Sequence, residues 1–210
     1  MSLYELFLSS FITLFVIADP LGTAAVFTGL TAGYDRHHIW VTATKAVLVA
    51  FGLLVFFALL GSPLLAKLDI SIPAFRIAGG LLLFVTAFRM IFGQHEPEAI
   101  EKNRGAYIDQ SDIAVFPLAI PLMSGPGCMT AVILLVQKTE ASWQVVTILG
   151  AILAVHIISF VCLLGASSIQ RIIGSSGTNI LARVMGVILA AMSIQFISDG
   201  LRGMHFLAAS

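Results

Sequence analysis

Six apolar stretches separated by short polar breaks set the plan of this chain. They run from about Tyr4 to Leu30, Trp40 to Ala66, Ile72 to Phe92, Ile113 to Val136, Trp143 to Ile169 and Asn179 to Leu201. Each is near the roughly 20 residues that a helix needs to cross the hydrocarbon of a bilayer. The first is interrupted by Asp19-Pro20. The joining loops are short except for Gly93 to Asp112, G-Q-H-E-P-E-A-I-E-K-N-R-G-A-Y-I-D-Q-S-D, which holds most of the polar sequence and divides the chain in two.

The fourth stretch is the least regular. No charge interrupts Ile113 to Gln137, yet the run contains Pro117, Pro121, Gly125, Pro126 and Gly127. Each proline removes a backbone donor and clashes with the carbonyl four residues back, and glycine weakens the helix between them. Lipid supplies no water to the freed groups, so a span broken here persists only where protein, ordered water or a ligand completes its hydrogen bonds. Such a break predicts a site rather than a plain anchor.

The halves resemble one another at these irregular points. A-D-P-L-G-T-A-A-V-F (Ala18–Phe27) aligns with S-G-P-G-C-M-T-A-V-I (Ser124–Ile133), and F-R-I-A-G-G-L-L-L-F (Phe75–Phe84) with A-R-V-M-G-V-I-L-A-A (Ala182–Ala191). The second alignment matches Arg76 with Arg183 and Gly79 with Gly186. Three spans per copy is an odd number, so the second copy must enter the membrane inverted. The expected fold is therefore all-α, a single integral membrane domain over 1–210. It comprises six transmembrane helices in two inverted three-helix repeats (repeat one 1–93, linker 94–112, repeat two 113–210), with the first and fourth helices broken. Secondary transporters built this way place substrate at the midplane, between broken helices.

Composition supports the membrane assignment: 59% of residues are hydrophobic and 10% charged, against about 45–50% and about 25% in soluble domains. Eleven basic residues balance eleven acidic ones, and no basic stripe or RNA-binding signature points to nucleic acid. The first residues, M-S-L-Y-E-L-F, lack the basic start of a cleavable signal peptide, so the first span is expected to be retained. With six spans, Arg36, Lys45, Arg89, Lys102, Arg104, Arg171 and Arg183 fall on one side, and Lys67, Lys138, Arg202 and both termini on the other. The richer side is cytoplasmic by the positive-inside rule, which places both termini in the periplasm.

Asp19 is the sharpest candidate. It lies between the uncharged segments Leu6–Ala18 and Pro20–Tyr34, where a carboxylate costs about 2.5–3.5 kcal/mol on insertion scales. Two readings fit it: a ligand for a proton, cation, substrate ammonium or Arg76, or a cap on a half-helix beginning at Pro20. Ser124 is expected to cap the matching half-helix opened by Pro126 and Gly127. The first amides of that half-helix, taken over Gly127–Thr130, carry the positive end of its dipole and suit a carboxylate. The proposed substrate site contains Asp19, Pro20, Gly22, Thr23, Ser124, Gly125, Pro126, Gly127 and Thr130, a polarity matched to a small zwitterion. A kinked packing helix is the competing reading of the second segment.

Arg76 and Arg183 approach from opposite faces as coupling or gating candidates, or as arginines snorkelling to the interface. Gly79, Gly80 and Gly186 read as close-packing residues, and His156 as a proton sensor or a histidine bonded to a neighbour. Asp199 reads as interfacial. Cys128 and Cys162 read as small core residues, and His37-His38 lack companion ligands, so neither a metal nor any other cofactor is expected. With no G-x-S-x-G, H-E-x-x-H or Walker motif, no enzyme activity is expected either.

These motifs resemble the MarC family of bacterial inner-membrane proteins. The pieces that carry the resemblance are I-A-D-P-L-G-T-A-A-V-F, F-R-I-A-G-G-L-L-L-F-V-T-A-F-R-M, F-P-L-A-I-P-L-M-S-G-P-G-C-M-T and R-V-M-G-V-I-L-A-A-M-S-I-Q-F-I-S-D-G, and it covers essentially the whole chain. Thr23 and Ala25 stand where the family commonly has asparagine and a second proline. The resemblance implies a six-span protein related to LysE-type exporters, with an archaeal branch associated with transport of small neutral amino acids. The expectation is a multi-pass secondary transporter of the bacterial inner membrane, exporting or exchanging small neutral amino acids or similar metabolites. A small-solute or ion channel and a non-transporting scaffold or stress-related interaction protein are the alternatives. The expected partners are a small-molecule substrate and the lipid bilayer. Whether the chain forms a homo-oligomer stays open, since G-x-x-x-G-type spacing is too common in membrane spans to decide it.

Overall fold

The computed structural model describes residues 2–31, 33–92 and 113–208, and the described residues are helices and short connections. The linker 94–112, with Lys102 and Arg104, lies outside the described residues. Helix α1 (Leu3–Ala18) starts on a capping box, in which Ser2 Oγ accepts from the Glu5 amide and Glu5 Oε2 accepts from the Ser2 amide. Helix α2 (Pro20–Leu30) follows at once, with Asp19 between them. Asp35 caps α3 (Arg36–Lys67) by accepting from the His38 amide at 3.0 Å, and α4 (Ile72–Phe92) completes the first half.

The second half comprises α5 (Ala114–Met123), α6 (Pro126–Gln137), α7 (Ser142–Leu164) and α8 (Ala166–Ala208). The last is divided at Gly174, whose φ of 71° belongs to the left-handed region that glycine tolerates best.

Five of the described stretches are apolar and long enough to cross a membrane: Leu3–Leu30, Arg36–Lys67, Ile72–Phe92, Ser142–Leu164 and Arg183–Met204. The remaining expected crossing, the fourth (Ile113 to Val136), is not a continuous helix. Phe116 and Ile120 are extended (φ −128° and −126°), as the residue before a proline tends to be. Pro117 and Pro121 thus divide α5, leaving α6 as a short apolar helix. The fifth stretch ends at Leu164 rather than Ile169, where the Gly165 amide turns back to Val161 O at 2.9 Å.

Lipid is as apolar as leucine, so helices associate here through close packing of small residues. The buried stripe of α3 shows this, with Ala43, Ala46, Ala50, Leu54, Ala58 and Gly61 at helical spacing. The outer faces carry exposed Leu48, Leu81, Leu82, Val85, Phe88 and Val187, an apolar coat suited to acyl chains. Helices α4 and α8 pack antiparallel along most of the length of α4. Gly200 meets Pro73 and Ile77, Gly80 meets Ser193 and Ile197, and Gly186 meets Ala87, Met90 and Ile91. Gly80 and Gly186 pack closely as the sequence suggested, and Gly200 joins them. Helix α7 packs on α1, α2 and α3, while α3 also packs on α5 and α6.

Two apolar clusters fill the interior. One takes Ile17 and Ala18 from α1, Leu54 from α3, Leu83 from α4, Cys128 and Ala131 from α6, and Ile152 and Val155 from α7. The other takes Ala24 and Phe27 from α2, Ala43 to Ala50 from α3, Leu118 to Met123 from α5, and Leu163 from α7. The boundary between them falls at both helix breaks.

Two expectations follow from these contacts. A Cβ on Gly80 would lie 2.9 Å from Ser193 O, and backbone yields little. Gly80→Leu should therefore cost about 1–3 kcal/mol in denaturant unfolding in detergent, while Gly52→Leu, where a Cβ meets nothing within 4 Å, should be neutral. Equal losses would mean that close approach is not what Gly80 provides. At the start of α3, the His38 amide, and then its ring, hold the Asp35 carboxyl below its usual range. A depressed folded pKa gives stabilisation that is complete above the ordinary aspartate value and lost as pH falls through the lowered one. The His38 amide resonance should titrate at that lowered pH; a midpoint at or above the ordinary value would contradict the cap.

Candidate functional site: two helix breaks in the bundle interior

The first break is closed by Asp19. Its backbone sits in the left-handed region (φ 41°, ψ 69°), uncommon for a residue with a side chain and tolerated best by Asn and Asp. Its amide ends α1 by donating to Phe15 O at 3.1 Å, and its carbonyl starts α2 by accepting from the Thr23 amide at 2.9 Å. Its Oδ1 accepts from the Gly22 amide at 3.1 Å, and Pro20 holds the first helical position. Thr23 is buried and its hydroxyl donates to Ala18 O at 3.3 Å. The capping reading of Asp19 therefore holds. The glycine at 22 has a specific reason: a Cβ there would sit 2.0 Å from Asp19 Oδ2.

The second break is closed differently. Ser124 does not cap α6. Its amide and its hydroxyl both turn back to Ala119 O, at 2.9 and 2.8 Å, finishing the wide coil of α5. Gly125 then takes the cap position, extended and without a side chain to offer. The expected run of receptive amides is also shorter than Gly127–Thr130. Met129 N–H already donates to Gly125 O at 3.0 Å, and Thr130 lies inside the helix with its hydroxyl on Pro126 O at 2.8 Å. Pro126 has no N–H, so the helix start presents the amides of Gly127 and Cys128.

Packing brings the two breaks together. A Cβ on Gly127 would stand 2.1 Å from Leu83 Cδ2 and 3.4 Å from Ile17 Cγ2. The start of α6 thus meets the end of α1 and the middle of α4. One turn on, Gly79 of α4 lies against the Thr130 side chain, where a Cβ would be 2.2 Å from Oγ1. Ile17, Leu83 and Gly79 line this junction without any chemical signature that would single them out in sequence.

The arginines lie farther off. Helix α4 runs antiparallel to α6, so Arg76 is seven positions along α4 from Leu83, about 10 Å at 1.5 Å per residue. It is partly buried and its Nε is enclosed without a partner among the described residues. Arg183 is exposed near the other end of the α4–α8 pair. The register of that pair therefore sets the two arginines toward opposite ends. Asp199, partly buried, accepts from Gln195 Nε2 at 2.8 Å.

His156 is more informative than its isolated position suggested. It is 2% exposed, its Nδ1 lies 2.8 Å from Ile152 O, and its Nε2 is buried with no partner among the described residues. A buried acceptor left unsatisfied costs about 1–3 kcal/mol. Cys128 is a buried free thiol within the first apolar cluster.

Interrupted helices meeting inside a bundle whose outer faces are apolar define a multi-pass α-helical membrane protein. The chain belongs to the MarC family of integral membrane proteins, whose pattern matches residues 4–205. It is 36% identical to a membrane protein of Methanocaldococcus jannaschii over 200 residues, covering 95% of this chain and 97% of that one. A membrane protein of Aquifex aeolicus is 33% identical over 205 residues (95% and 94% covered), and the membrane protein YvbG of Bacillus subtilis 30% identical over 196 (92% and 93%). No solved structure matches the chain.

The two closures predict different sensitivities. Gly22→Ala should push the Asp19 carboxylate off its cap and cost about 1 kcal/mol, the typical value of a lost N-cap. Ser124→Ala should leave the start of α6 in place, because the Ser124 amide still reaches Ala119 O. Amide hydrogen exchange over residues 20–24 and 125–130 measures both. Faster exchange at the start of α6 in Ser124→Ala would restore Ser124 as its cap.

Proposed function

We propose that this chain is a secondary transporter of the bacterial inner membrane that exports or exchanges small neutral amino acids or similar metabolites. The meeting of the two breaks at Ile17, Leu83 and Gly127, at the end of the first apolar cluster that adjoins the second, carries this reading. A lipid anchor gains nothing from two interrupted helices joined in the interior. A carrier does, because irregular backbone at membrane depth supplies polar groups to a ligand.

In this reading the chain makes six crossings as two inverted three-helix repeats, α5 with α6 forming the fourth. Matching neighbours support the plan: α1 and α2 pack on α7 as α5 and α6 pack on α3, and α2 packs on α8 as α6 packs on α4. Both termini face the periplasm, with Arg36, Lys45, Arg89 and Arg183 toward the cytoplasm. The site consists of Asp19, Pro20, Gly22 and Thr23 from one half, and Ser124, Gly125, Pro126, Gly127 and Thr130 from the other. Asp19 receives the substrate ammonium or a coupling proton. The Gly127 and Cys128 amides, at the positive end of the α6 dipole, receive the carboxylate. Leu83 lies over Gly127, so ligand entry requires α4 to shift against α6. That shift is the carrier's gate, and Arg76 and Arg183 near the ends of the α4–α8 pair bias it.

Counterflow in proteoliposomes tests the reading with labelled glycine, alanine and serine against unlabelled pools. Asp19→Asn is the cleanest variant, because asparagine caps a helix as well as aspartate while removing the charge. Saturable exchange is expected in the wild type and should be lost in both Asp19→Asn and Gly127→Leu. Solute flux without saturation would favour a channel, and no exchange of any of the three by folded protein would sink the amino-acid reading.

A further inference from the structure

We propose that His156 is a ligand-contacting residue, whose Nε2 accepts a hydrogen bond from an N–H donor of the molecule held between the helix breaks. The inference rests on the carrier reading above and adds a third contact to it, from a helix that has no break. A carbonyl oxygen only accepts, so Nδ1, at 2.8 Å from Ile152 O, carries the ring hydrogen. The neutral ring then has a single lone pair, at Nε2. That atom is enclosed and meets no partner among the described residues, while the Phe51 ring packs edge-on at 5.7 Å.

Depth ties this acceptor to the breaks. On α7, Val155 belongs to one apolar cluster and Leu163 to the other, so His156 falls at the boundary between them. On the α1–α2 strand of the bundle the boundary runs between Ala18 and Ala24, bracketing Asp19. On α3 it runs between Ala50 and Phe51, which packs against the first cluster. Between α5 and α6 it runs from Met123 to Cys128, the second break itself. Helix α7 packs directly on α1, α2 and α3. A buried acceptor at this level complements an ammonium group, which has three donors, only some of which a carboxylate at Asp19 would satisfy.

The test uses reconstituted protein with alanine as the probe. His156→Phe keeps an aromatic ring of similar size and removes the acceptor; His156→Gln restores a carbonyl oxygen near the Nε2 position. The expected result is a KM for alanine counterflow raised at least about tenfold in His156→Phe, the loss of a charge-assisted hydrogen bond, with recovery toward wild type in His156→Gln. In exchange-competent protein that keeps His156 as its one histidine, with the imidazole nitrogens labelled, the Nε2 resonance should move with alanine at the concentration that half-saturates exchange. Wild-type exchange with an unmoved resonance, or with an unchanged KM in folded His156→Phe, would overturn the assignment of His156 and leave the carrier standing. Absence of alanine exchange in the wild type would overturn the carrier reading for this solute and the His156 contact with it.

Discussion

Every main-chain amide and carbonyl that lipid surrounds must find its partner within the protein, and the architecture follows from how this chain meets that demand at its two interruptions. At the first, one residue does nearly everything. Asp19 ends α1 with its amide, begins α2 with its carbonyl and caps α2 with its side chain. At the second, prolines prevent such a compact solution. The chain instead widens into the coil of α5, gathers the Ser124 amide and hydroxyl onto Ala119 O, and restarts on Gly125. The result is unequal: a helix start occupied by a carboxylate faces the interior alongside one that has none.

Helix α4 connects this interior to the rest of the molecule. Along one face it is locked to α8 through Gly80, Gly186 and Gly200, and along another it reaches α6 through Gly79 and Leu83. Any movement that uncovers Gly127 must therefore carry α4, and the α4–α8 contact makes α8 a natural companion in that movement. Rigid pairs sliding over a fixed site are the usual mechanical form of alternating access. In the proposed carrier, where this surface would separate, leucine at 83 loses dispersion contact alone and leaves no polar group unpaired.

Much of this was legible in the residues. Run lengths gave five of the six expected spans, Asp-Pro gave the first break with its cap, and Gly79, Gly80 and Gly186 gave close helix contacts. The fourth span was read as irregular but not in detail. Extended backbone at Phe116 and Ile120 follows from Pro117 and Pro121, yet whether Ser124 or Gly125 would cap α6 depended on which carbonyl Ser124 could reach. Ser124 is expected to cap α6 as Asp19 caps α2; its hydroxyl instead donates to Ala119 O, and Gly125 takes the cap position. His156 was read correctly as hydrogen-bonded to a neighbour, but sequence offered no way to see that its second nitrogen is enclosed and empty-handed.

The sequence alone therefore determined what each segment must do with its own backbone: where a helix starts, where proline forbids its continuation, which face is small enough for close approach. Those are local consequences of side-chain shape and hydrogen-bonding capacity, and they act within a turn or two. Tertiary structure decided which local consequences share a place. Ile17, Leu83 and Gly127 are far apart along the chain and chemically ordinary, and only the packing of α1, α4 and α6 makes them a junction. The same holds for the common depth of Asp19, His156 and the second break, because a boundary between two apolar clusters exists only once the helices are side by side.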